Sequence, residues 1–181
     1  MAAGIREKYF GPKEFYQRTA KIAVPLALQQ LLSSAMSIAD TLMVSWIGQV
    51  TAVGTAAQID TLSSMIAYGM IGGIGIFSAQ FYGAKDEHNL KRCFGLSLVL
   101  SMANAVFWVL MATFFGRAIL GFYMNDAAIV GSGMAYLSVS KYSLIFGALT
   151  FCFSYMYRSI HKAALALNVS IMAMVLNILF N

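Results

Sequence analysis

A carboxylate stands at position 40 in the stretch SIADTLMVSWIG, within a segment, Ile22 to Ile47, that carries no other charge. Apolar surroundings penalise an ionised group, so Asp40 must face a helix bundle or a water-filled cavity. Gln30, Ser33, Ser37 and Asp40 follow at steps of three and four, with Ser34 and Thr41 beside them. On a helix they form one polar stripe. Near the other end of the chain Asn177 and Asn181 are spaced i, i+4, so a helix shows both amides on one face. One carboxylate and two amide carbonyls make an all-oxygen set of charge −1. Hard cations take oxygen ligands, and this charge suits a single Na⁺, or a proton held by the carboxylate itself. The plainer reading of the same residues is hydrogen bonding between helices. Asp60, with Gln58 and Thr61 nearby, and Lys141 are two further charges inside apolar segments. They would tolerate burial as a pair, unless Asp60 reaches outer water.

Other chemistry finds little support. His88 and His161 fall in polar loops without a catalytic companion, and Cys93 and Cys152 lack metal-ligand spacing. No nucleophile sits near a base, so neither an enzyme nor a transition-metal site is expected. The glycine-rich YGMIGGIGIFSAQFYGA lacks the G-x-G-x-x-G register of a phosphate loop. Gly69 and Gly73 instead form a small-xxx-small pair, which predicts close approach of another helix there. Asn168-Val169-Ser170 is a glycosylation sequon by spelling, but inside an apolar segment it should be inert.

The elements that position these residues follow from composition. Sixty per cent of the 181 residues are hydrophobic and 10% are charged, against about 25% charged in soluble domains. This is the balance of a polytopic membrane protein, and the net charge of +5 reads as a topology signal rather than as a nucleic-acid footprint. The expected fold is all-α, a bundle of about five transmembrane helices, because backbone in lipid must satisfy its own hydrogen bonds. Stretches long enough to cross a core of ~30 Å run over residues 22–47, 53–81, 93–115, 127–156 and 163–181. Residues 1–21 mix bases with aromatics after a Gly-Pro start, as a segment lying in the cytoplasmic interface would. Pro25 removes a backbone hydrogen bond near the start of the first span and is a hinge candidate. Ten of the 12 Lys and Arg fall on the side of the N-terminus, which places that end in the cytoplasm of a plasma or inner membrane. The chain finishes at NILFN within its fifth span, without a basic anchor or polar tail. A truncated lobe is expected.

The run AVPLALQQLLSSAMSIADTLMVSWIG, followed by VGTAAQI, then GIGIFSAQFYGAKD, and the NILFN ending, resembles the N-terminal part of multidrug and toxic compound extrusion (MATE) transporters. The similarity covers nearly the whole chain. It implies twelve helices in two pseudo-symmetric six-helix lobes, exporting organic cations or drug-like molecules in exchange for Na⁺ or H⁺, with no cofactor besides that ion. The chain looks like most of the first lobe; the sixth helix and the C-terminal lobe would be its missing partners. Asp40 matches the first-helix carboxylate of the family's cation site, and Asn177 and Asn181 match its two fifth-helix positions. Gln30, Ser33, Ser37, Thr41, Asp60 and Lys141 are candidates to line the cavity. The alternatives are a lipid-linked oligosaccharide flippase of the same superfamily, for which only Lys141 could meet pyrophosphate inside the membrane, and a non-transporting truncated fragment.

Overall fold

The computed structural model describes residues 11–46 and 48–180, with backbone alone at 177, 178 and 180. Among the described residues six α-helices follow one another: α1 Lys13–Trp46, α2 Val50–Gly83, α3 Glu87–Tyr123, α4 Ala127–Ser140, α5 Ser143–Ser159 and α6 Ala163–Phe180. The all-α membrane bundle is as expected, but its segments are unequal. α1, α2 and α3 are each long and apolar enough to cross a membrane, whereas α4 and α5 pass only as one span bent by 55°. The fourth stretch, 127–156 in the sequence reading, is therefore a broken helix. No Pro or Gly marks the break. Instead the Ser138 hydroxyl donates to Ala135 O and the Ser143 hydroxyl donates to Ser140 O, both at 2.7 Å. Such back-bonds offer the chain an alternative to the helical ladder and bend it. Pro25, the expected hinge, lies inside α1, which is helical on both sides of it.

Local chemistry sets the helix ends. α1 starts where Phe15 N–H donates to Pro12 O at 2.9 Å, and it continues unbroken from the basic N-terminal segment into the apolar span. Gly48 has φ 67° and its N–H donates to Ser45 O at 3.1 Å. Glycine takes that left-handed backbone at little cost, so the chain can reverse into α2. Asp86 caps α3 by accepting from Asn89 N–H at 3.1 Å, and Asp126 caps α4 by accepting from Ala128 N–H at 2.8 Å. Each satisfies a helix-start amide.

Small side chains let the helices close. Ala52, Ala56 and Ala112 are buried beside Ile59, Trp108, Leu120, Leu137 and Leu144, where α2 and α3 pair and α4 and α5 lie against them. The close glycine contacts differ from those expected. A Cβ on Gly69 or Gly73 would meet nothing within 4 Å, whereas one on Gly75 would stand 3.2 Å from the Tyr155 ring. The run is a packing surface, but the face turned to α5 is that of Gly72 and Gly75. α1 stands apart: it packs mainly along α6, and Gln29 is its one buried residue.

Candidate functional site

Three turns of α1 explain where Asp40 sits. Its half-buried positions, Leu32, Met36 and Ala39, continue the line of buried Gln29, and at ~100° per residue Asp40 borders that line. The polar stripe expected to face inward, Gln30, Ser33, Ser37 and Thr41, is exposed in this chain, as is Asp40. The buried glutamine is the neighbour, Gln29. Its Nε2 donates to Ser170 Oγ of α6 at 3.0 Å, and its Oε1 accepts from the Arg158 guanidinium of α5 at 2.8 Å. Arg158 also lies 5.7 Å from the centroid of the Tyr155 ring. One amide thus ties three helices together at the end of the bundle that carries the bases.

The Gln29–Ser170 contact fixes the register of α1 against α6. Both helices run away from the basic end. Asn177 stands seven residues beyond Ser170 on α6, close to two full turns, so it returns to the face of the helix that Ser170 occupies. Asp40 stands eleven residues beyond Gln29, close to three turns, and likewise returns to the face of Gln29. The side chain of Asn177 and the whole of Asn181 lie outside the described residues.

The α4–α5 break holds a residue that the sequence reading missed. Tyr136 of α4 lines a small pocket of about 60 Å³ with Asp60, Lys141, Ser140 and Ser143 at the α4–α5 break. Tyr136 was hard to find because a tyrosine in an apolar run has no spacing signature. Asp60 and Lys141 share this pocket but form no ion pair. Lys141 Nζ instead donates to Thr113 Oγ1 at 3.0 Å and lies 5.3 Å from the centroid of the Tyr142 ring. Neutral partners suffice there because the helix break leaves room for the ammonium beside a hydroxyl and an aromatic face.

A deeper cavity of about 170 Å³ with a mixed lining lies between α2, α3 and α5, where Asp60, Ser63, Ser64, Ser101 and Asn104 stand beside apolar Ile71, Leu144 and Phe151. Asn104 Nδ2 donates to Ser63 O at 3.1 Å and to Ser63 Oγ at 3.2 Å. Among the described residues, no group of three or more His, Cys, Asp or Glu could hold a metal ion.

Comparison with known proteins agrees with the helical pattern. The MatE family model matches residues 25–181. A probable multidrug resistance protein NorM of Synechocystis sp. is 31% identical over 104 residues, which cover 54% of this chain and 23% of that protein. The multidrug resistance protein NorM of Burkholderia vietnamiensis is 30% identical over 90 residues, 49% of this chain and 20% of that one. The matched part therefore spans about a quarter or less of these relatives. No solved structure matches. With the family model covering everything from Pro25 onward, on a bundle of long apolar helices, this chain belongs to the MatE family of membrane transporters.

Proposed function

We propose that this chain forms most of the first lobe of an antiporter that expels organic cations in exchange for Na⁺ or H⁺. Asp40 holds the coupling ion together with Asn177 and Asn181. The packing of α1 along α6, tied by the Gln29–Ser170 bond, is the observation that supports this reading, since it runs the helix of Asp40 beside the helix of the two asparagines. The names of the NorM relatives support drug-like cargo. The lysine and arginine bias supports a cytoplasmic N-terminus in the plasma or inner membrane.

Function follows from linkage. An ion and an organic cation that favour different states of one bundle oppose each other's binding, so the inward ion gradient drives the drug outward. Alternating access requires a second repeat to move against this one, so transport belongs to the complete two-lobed assembly. The exposed polar stripe of α1 supports this reading, since hydrocarbon would not accept Gln30, Ser33, Ser37 and Thr41 together.

Asp40→Asn keeps shape and removes the formal charge. In the two-lobed transporter it should insert at normal yield and abolish ion-driven efflux of a fluorescent organic cation from vesicles. Asn177→Ala and Asn181→Ala each remove one neutral oxygen, so higher Na⁺ should restore part of their efflux. A series over Na⁺ and pH assigns the coupling ion. Wild-type efflux with unchanged ion dependence in Asp40→Asn would reduce the carboxylate to a polar packing residue.

A further inference from the structure

Asp60 borders two cavities at once, the small pocket with Tyr136 and Lys141 and the deeper one between α2, α3 and α5. The polar part of the deeper wall is rich in oxygen, beside apolar Ile71, Leu144 and Phe151, and its Asp60 and Ser64 are exposed in this chain. Asn104, 9% exposed, spends both amide hydrogens on Ser63, and a carbonyl acceptor can be met only by the nitrogen end of an amide. Its Oδ1 is thereby turned away from Ser63, and among the described residues it accepts no hydrogen bond. Ser101, 1% exposed, donates its hydroxyl hydrogen to Ser97 O at 2.7 Å, which leaves lone pairs on its oxygen. Ser64 adds a further hydroxyl to the wall. One carboxylate thus faces several neutral oxygens in a cavity of about 170 Å³, well above the ~10–15 Å³ that a single water needs. The charged and titratable groups near Asp60 are few. Lys141 faces it from the α4–α5 break with its ammonium engaged by Thr113, and Tyr136 faces it from α4. Cys152 of α5 is buried.

We propose that Asp60, Asn104, Ser101 and Ser64 form a second binding site for a monovalent alkali cation, Na⁺, within the lobe and separate from Asp40. The oxygen set, the single charge and the volume suit an ion that keeps part of its water shell. The site stands on its own cavity, independent of the role given to Asp40.

The test uses the complete wild-type transporter in detergent and a carboxyl-reactive carbodiimide at fixed pH. Peptides carrying Asp40 and Asp60 are quantified separately by mass spectrometry. Replacing N-methylglucamine with Na⁺ should reduce modification of Asp60 in a saturable way, and K⁺ should protect it less. ²²Na⁺ binding provides the second readout: Asp60→Asn should lower the stoichiometry by one ion, whichever ion Asp40 holds. Ser64→Ala should weaken the Asp60 ion and leave the other intact. Asp60 modification that responds to pH and not to Na⁺, or unchanged Na⁺ stoichiometry in a folded Asp60→Asn, would overturn the proposal in favour of a proton site or a cavity of water. Because Asp40 is read on its own peptide, failure there leaves this result standing.

Discussion

Neighbouring residues on α1 have opposite fates, and the difference is testable. Gln29 is buried and bonded to Arg158 and Ser170, whereas Gln30 is exposed. Gln29→Leu strips one partner from a guanidinium whose Nε already lacks one. A buried donor left unpaired costs about 1–3 kcal/mol, so this variant should melt below wild type in a detergent thermal-stability assay, and Gln30→Leu should not. The sequence showed that a polar stripe exists on α1 but missed which glutamine anchors it, because the two positions differ by only ~100° around a helix and the deciding partners lie more than a hundred residues away. Asp40 itself was legible, since a lone carboxylate in an apolar span stands out without any structure. Asp86 illustrates a residue whose role is local. Asn89 N–H and the Asn89 amide hold its carboxyl below the ordinary range. A lowered folded pKa means that its contribution is present above the unfolded value and is lost as pH falls through the folded one. The protection of amides in the α2–α3 turn, measured against the intrinsic exchange rate at each pH, should therefore fall on acidification, and Asp86→Ala should remove that dependence.

At the scale of elements, length and hydropathy were readable and the contacts between helices were not. Composition alone placed α1, α2 and α3, since their apolar runs are long. The glycine run told that something packs closely on α2, yet Gly69 and Gly73 meet nothing and Gly75 meets Tyr155. A one-dimensional pattern cannot show which side of α2 faces α5. Gly75→Leu forces its new side chain against an aromatic ring held between helices, and such overpacking costs about 1–3 kcal/mol. Its folded yield and melting temperature should fall, and Gly73→Leu should behave as wild type. The break at Lys141 was hidden for a different reason: hydroxyl back-bonds from Ser138 and Ser143 bend the chain without the usual Pro or Gly.

At the scale of the whole molecule, α1 has two unlike outer faces. Leu31, Ile38 and Leu42 are 66%, 62% and 57% exposed, and they lie roughly opposite Asp40 around the helix. Lipid suits that side. The other side carries Ser33, Ser37 and Asp40, also exposed, and water is the medium that suits it. Cysteines placed at Ser33 and Ser37 in the two-lobed transporter should react with a small hydrophilic maleimide, whereas cysteines at Leu31 and Ile38 should resist it. If the stripe lines an alternating cavity, adding the transported cation should change the reaction rate at Ser33 and Ser37 together and leave the lipid side unaffected. Equal and unchanging reactivity on both faces would mean that α1 borders no gated cavity, and the exposed stripe would then be an interface for another helix.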